Sequence, residues 1–218
     1  MKRYLIIGLG NFGAGVAEAL HAGGNEVIAL DLDEAAVERV SRFVSRAVLA
    51  DGRDPRTLER LGASEVDAAV ISTGDDITAS VLTTLTLRDA GVRDIYVKVI
   101  SREHARVMEK LGVAETVFPE RESALRLGRR LASRTVLNYV QLGGDLAIQE
   151  MAVPDHWVGR SLRELELPRH HRISVIAVHD VLTDTMAPIP DADAPLKESD
   201  TLLIAGRDED LARVAQIS

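Results

Sequence analysis

The sequence predicts an α/β protein: a doubly wound parallel sheet, then a connecting helix, then a small α+β domain. Three observations carry this. Short apolar runs alternate with helical patterns and tight turns from residue 3 to about residue 118, the pattern of parallel strands covered by helices on both faces. The first of these units holds Gly8-Leu9-Gly10-Asn11-Phe12-Gly13 between a strand and a helix. Beyond Glu120 the alternation stops, and one long helical stretch leads into strands of a different, alternating pattern.

Taken in order, Tyr4-Leu5-Ile6-Ile7 is a buried strand that runs into the glycine segment, which opens a helix. Val27-Ile28-Ala29-Leu30 is the second strand and ends at Asp31, eighteen residues after Gly13. That combination is what a dinucleotide-binding Rossmann unit asks for. Gly8 permits the tight turn, Gly10 allows a pyrophosphate to approach the backbone, and Gly13 lets helix pack on strand. The helix start offers free N–H donors and partial positive charge to a phosphate. Asp31 would accept hydrogen bonds from ribose hydroxyls and repel a 2′-phosphate. The bland alternative is that the glycines serve packing alone and Asp31 is a solvated strand end.

Arg46–Ala50 is the third strand, ending at Asp51-Gly52, and Asp54-Pro55 starts a helix that stops at Gly62. Asp67–Ser72 is the fourth strand, and Thr73-Gly74-Asp75-Asp76 leads into a helix reaching Asp89. The Asp75-Asp76 pair fits a helix cap better than a cation site. Asp94–Val99 is the fifth strand, Glu103–Leu111 a helix stopped by Gly112, and Glu115–Phe118 the sixth strand. Six strands complete the sheet. Asp31, Asp51, Thr73-Gly74 and Lys98 all fall at strand C-terminal ends, where such sheets bind ligands.

A single helix is expected over Glu122–Leu137, with Leu127 and Leu131 on one face and arginines, Arg126, Arg129 and Arg130 among them, around the other. Its apolar face needs a second domain or a second subunit to cover it. Leu146–Val153, Ile173–Val178 and Thr201–Gly206 read as strands, Arg160–Leu165 as a short helix, Pro188, Pro190 and Pro195 as loop punctuation, and Asp208 as the start of a last helix. The expected units are residues 1–120, a crossover and dimerisation helix over 121–138, and an α+β domain over 139–218. So small a final domain is expected to dimerise.

Composition narrows function. A net charge of −8 and 3% aromatic residues argue against nucleic acid, which wants a basic surface and stacking platforms. With no cysteine there are no disulfides or thiolate metal sites. No apolar run approaches a membrane span, and Lys2-Arg3 before so short a strand makes no signal peptide. A small NAD(H)-dependent oxidoreductase is the main alternative, but His170 and His171 share a polar loop and His179-Asp180 lies at a strand end. None has a second base or ligand at a useful spacing. A Rossmann repressor would need a basic recognition segment that a sheet pattern beginning at residue 3 does not accommodate.

The segments YLIIGLGNFGAGVAEAL, EVIALDLDEAAV, AVLADGRD, ISTGDDITASVLTTLTLRDAG, IYVKVISREHARVMEKLGV and FPERESALRLGRRLA, with VGRSLRELEL, ISVIAV and DTLLIAG later, are together far more specific than the glycines. In these the chain resembles the TrkA/KtrA-type regulatory subunits of bacterial potassium uptake systems, built of RCK N-terminal and RCK C-terminal domains. The resemblance implies a non-enzymatic, cytoplasmic gating-ring subunit, a homo-oligomer of dimers assembled into an octamer. That ring would lie against the inner face of the membrane beneath a potassium-translocating partner. It implies ATP/ADP or NAD/NADH at the Rossmann site, contacted by Gly8, Gly10, Asn11, Phe12 and Gly13, then by Asp31, Leu32 and Asp33, and by Asp51 with Gly52. Thr73, Gly74 and Asp75, then Lys98, Val99 and Ile100, His104 and Glu120 also match. Glu120 is the implied ligand of a divalent cation at the nucleotide. One departure stands out: Asn11 occupies a position where the family often has a γ-phosphate-binding arginine, which weakens the case for ATP over ADP. Cyclic di-AMP binding in the second domain is known in relatives, but here Pro168 stands where an arginine is expected, with Arg169 next.

Overall fold

The computed structural model describes residues 1–132 and 136–217, and these form two compact units, Met1–Glu120 and Arg121–Ser218. The first unit alternates β1 (Arg3–Ile7), α1 (Asn11–Ala22), β2 (Glu26–Asp31), α2 (Glu34–Val40), β3 (Arg46–Leu49), α3 (Pro55–Arg60), β4 (Ala68–Ile71), α4 (Ile77–Asp89), β5 (Asp94–Lys98), α5 (Arg102–Lys110) and β6 (Glu115–Val117). Its six strands are all parallel in the order β3-β2-β1-β4-β5-β6, the doubly wound arrangement whose order reverses at β1.

The central strands are apolar on both sides because helices cover both faces. One layer packs Leu5, Ile7, Leu30 and Ile71 against Leu58, Leu87 and Met108. The other packs Ile6, Val27 and Ala29 against Leu9, Ala17 and Val40. The helices start where short polar side chains cap them: Asp33 on Ala35 N, Asp54 on Arg56 N, Asp76 on Ala79 N and Ser101 on His104 N. Each satisfies a backbone donor that the helix itself leaves open. Helix α1 is the exception, since Gly10 at its N-cap has no side chain to offer and its first turn holds no acid.

Helix α6 (Pro119–Ala132) begins at the last residues of the first unit. The second unit contains β7 (Val136–Gly143), β8 (Leu146–Ala152), α7 (Leu162–Leu165), α8 (Leu167–His171), β9 (Ser174–Asp180), β10 (Thr185–Ala187), β11 (Asp200–Arg207) and α9 (Asp208–Val214). The strands form an antiparallel sheet, β10-β9-β11-β8-β7. One face is buried: Ala147, Met151, Leu202 and Ile204 pack with Trp157, Leu165, Leu167 and Leu211. The start of α7 is closed by a capping box, with Ser161 accepting from Glu164 N and Glu164 accepting from Ser161 N.

Three expectations are corrected. The helix expected to reach Leu137 ends by Ala132, and residues 133–135 lie outside the described residues. Val136 and Leu137 belong to β7, paired with β8, because β-branched and aromatic residues from Val136 to Val140 suit a pleated surface better than a helix. Helix α2, capped by Asp33 with Ala36 and Val40 buried, and the short strand β10 were not among the expected elements. His170 and His171 are not in a loop but close α8, where the His171 ring lies 5.7 Å from the ring of Trp157.

Candidate functional site

The cleft at the C-terminal edge of the parallel sheet is built from the glycine turn outward. Gly8 has φ +92°, and a Cβ there would lie 2.1 Å from the Ser72 carbonyl oxygen. At Gly13 a Cβ would fall 1.9 Å from the Gly8 oxygen. Both glycines are therefore demanded by the chain's own packing. Gly10 is different. A Cβ on it would meet nothing within 4 Å, so the fold leaves space where it has no need of a bare backbone. That space lies at the uncapped N-terminus of α1, where unpaired N–H groups and the helix dipole favour an anion.

Asp31, at the end of β2, faces this turn. One of its carboxylate oxygens accepts from Leu9 N and the other from Asp33 N at 2.9 Å. Arg39 of α2 donates from Nη2 to the Leu9 carbonyl at 3.0 Å. Leu32 follows with its side chain 64% exposed, an apolar surface held in solvent beside the acid. Asn11 is exposed at the first turn of α1.

The next strand ends bring further polar groups to the same edge. Asp51 accepts from Arg53 Nε at 2.9 Å and Nη2 at 2.8 Å, and this guanidinium holds the Asp51 carboxyl below the usual carboxylate range. Gly52 packs so tightly that a Cβ would lie 2.5 Å from Ile7 Cγ2. Thr73 and Gly74 (φ +64°) turn the chain into α4, and Asp75 is exposed there. Asp76 is spent on capping α4. Lys98 Nζ lies 2.6 Å from Glu120 Oε1, and the ammonium draws the Glu120 carboxyl below its ordinary range.

The remaining expected contacts are more buried. Val99 is a core side chain and its N–H donates to Val117 O at 2.8 Å; Ile100 is half-buried beside it. Phe12 packs against the layer under α1. The His104 ring is 2% exposed, with Nε2 3.1 Å from Ser80 Oγ, and burial lowers its pKa. It faces α4 inside the fold. Arg39 and Arg53, which do reach the cleft residues, were missed because neither lies in the glycine or strand-end pattern. Arg53 stands two residues after the acid it serves, whereas Arg39 serves a backbone carbonyl and leaves no signal in the sequence.

Among the described residues no group of three or more His, Asp or Glu side chains could hold a metal ion. Glu120 is thus not part of a three-carboxylate or histidine cluster among the described residues. The fold they define is a Rossmann domain followed by a small antiparallel-sheet domain. Residues 4–119 match the TrkA-N domain and residues 148–218 the TrkA-C domain. The chain belongs to the Ktr/Trk family of potassium uptake regulatory subunits.

It is 32% identical to the Ktr system potassium uptake protein C of Bacillus subtilis (strain 168), over 97% of this chain and 95% of that protein. Against the Ktr system potassium uptake protein A of Vibrio alginolyticus the identity is 32%, again over 97% and 95%. Among solved structures it superposes on the GsuK channel bound to NAD with a TM-score of 0.66 at 18% identity. That match covers 99% of this chain but only 39% of the channel chain, so it speaks for the fold. The oxidoreductase alternative gives way to membership of this family.

Proposed function

We propose that the first domain senses an adenine nucleotide and that the second helps to assemble copies of the chain into a ring. The ring sits on the cytoplasmic side of the membrane and passes the bound state to a potassium-translocating partner. The observation that carries the nucleotide reading is the contrast among helix starts: α2, α3, α4 and α5 are capped by their own side chains, whereas α1 is not. Its N-cap, Gly10, opens onto free space with Asp31 beside it. This arrangement fits a phosphate on the helix and a ribose on the carboxylate. The potassium uptake relatives and the NAD-bound fold neighbour support the same reading.

A bound nucleotide acts as a signal only by favouring one assembly state over another. Leu125, Leu127 and Leu131 of α6 are exposed in the single chain, and a second copy covering them provides such a state. A divalent cation at Glu120 draws its remaining ligands from nucleotide phosphate oxygens and competes with Lys98 for the carboxylate. Asn11 in place of arginine removes a fixed charge from the loop, so ATP and ADP are expected to bind with similar affinity. Calorimetric titration of the full chain with ATP, ADP, AMP, NAD, NADH and cyclic di-AMP, followed by light scattering on each mixture, tests the proposal. Saturable binding of an adenine nucleotide to an oligomer supports it. A 23.7 kDa monomer that binds none of them overturns it.

A further inference from the structure

The geometry points to Arg39 as a positioning residue of the nucleotide site, one that holds the glycine turn in its ligand-accepting shape without touching the ligand. The inference rests on the nucleotide reading proposed above. The Leu9 side chain is fully buried, so its main-chain groups have little access to water and need partners from the protein. They find two side chains of opposite charge. Asp31 takes the Leu9 N–H, and the Arg39 guanidinium takes the Leu9 carbonyl at 3.0 Å. On either side the turn is fixed by backbone alone, Gly8 N to Leu30 O at 2.9 Å and Ala14 N to Gly10 O at 2.9 Å. Leu9 is thus the residue of the turn whose main chain is held by side chains at both of its polar groups.

The mechanical consequence follows from peptide planarity. The Leu9 carbonyl and the Gly10 N–H belong to one rigid peptide plane. Holding the carbonyl fixes the direction of the Gly10 N–H at the mouth of α1, the donor closest to the open space beside Gly10. With Arg39 removed, that plane turns toward water and the donor row at the helix start loses its alignment. A ligand that places any phosphate there loses affinity by the same factor, whatever the length of its phosphate chain. A direct contact between Arg39 and a phosphate makes the opposite demand: the loss grows with the number of phosphates, because each adds charge for the guanidinium to meet.

The test uses the full-length protein and two variants, Arg39→Met, which keeps much of the aliphatic stem, and Arg39→Lys, which restores one donor. Amide hydrogen exchange is read first, without nucleotide. The Leu9 and Gly10 amides of Arg39→Met are expected to exchange about fivefold faster or more, with Arg39→Lys within about twofold of wild type. Calorimetry then follows with AMP, ADP, ATP and NAD. Arg39→Met is expected to weaken AMP, ADP and ATP by one common factor of about five to ten, and Arg39→Lys to recover most of it. Unchanged exchange in Arg39→Met overturns the inference, as does a loss that rises from AMP to ATP. Should wild type bind no nucleotide, the functional proposal falls, and the exchange measurement still decides the role of Arg39.

Discussion

The two sheets of this chain treat their polar groups in opposite ways. In the parallel sheet every strand runs the same way, so Asp31, Asp51, Thr73 and Lys98 arrive at one edge together. In the antiparallel sheet neighbouring strand ends point apart, and polar side chains satisfy one another across the ladder. There Glu150 accepts from Thr201 Oγ1 at 3.0 Å and from Asn138 Nδ2 at 2.6 Å. α7 closes its donors with the Ser161–Glu164 capping box, whereas α1 leaves its donors beside an open Gly10. Within the first domain, where α2, α3, α4 and α5 are capped by their own side chains, the open start of α1 is the exception.

The sharpest way to break this comparison is at the glycines. Gly8→Ala combines a backbone clash with a left-handed φ and is expected to destabilise the first domain by more than about 4 kcal/mol. Gly10→Ala, facing open space, should change stability by no more than about 0.5 kcal/mol while sharply reducing nucleotide affinity. Urea unfolding and calorimetry on the two variants separate glycines kept for packing from the glycine kept for a ligand. If Gly10→Ala binds as wild type does, the open space is incidental.

A large truncation in the other core sharpens the contrast from the far side. Met151 is fully buried, and Met151→Ala is expected to cost about 2–5 kcal/mol in the unfolding of the second domain. The nucleotide affinity of the folded variant should be that of wild type. A loss of affinity under conditions where the variant remains folded would show that the two regions do not divide the work in this way.

Asp31→Ala is the intermediate case. Both carboxylate oxygens already hold the loop, so this change removes a ribose acceptor and a loop support together. Affinity for nucleotides with free ribose hydroxyls is expected to fall by about 1–3 kcal/mol, read by calorimetry. Equal affinity in the variant would remove Asp31 from the site.

The smallest effect concerns pH and the corner of the second domain. Lys197, first among several donors, holds the Asp180 carboxyl at about 2. Ser199 Oγ and Leu182 N donate to the same carboxylate at 3.1 Å each. A carboxyl with a depressed folded pKa stabilises fully above its unfolded value of about 4, and that contribution is lost as pH falls through about 2. Urea midpoints measured at pH 5 and pH 2.5 should therefore fall less in Asp180→Asn than in wild type. An equal fall in both would place the acid sensitivity elsewhere.

The first domain was legible almost element by element because parallel strands buried on both faces read as short apolar runs, and because glycine or aspartate punctuates most of its turns. Site residues at strand ends were legible for the same reason. What failed was local. Val136 and Leu137 follow a helical pattern without a break such as Gly or Pro, so the start of β7 was absorbed into the preceding helix. His104 carries a polar side chain into the core, where only the packing of α4 against α5 reveals that Ser80 is its partner. Arg39 acts through a backbone carbonyl, and no spacing rule records such a contact.

The position of β11 has a consequence for how the chain is made. It is the middle strand of its sheet and also the last strand to be synthesised. When Val117 leaves the ribosome the parallel sheet has all six of its strands, but Asp200–Arg207 emerge only some ten seconds later at about 5–20 residues per second. Until then β8 and β9 each lack the neighbour they share and present bare backbone to other nascent chains. A premature stop before residue 200 leaves a complete parallel sheet attached to two open strand edges, a product destined for aggregation or proteolysis.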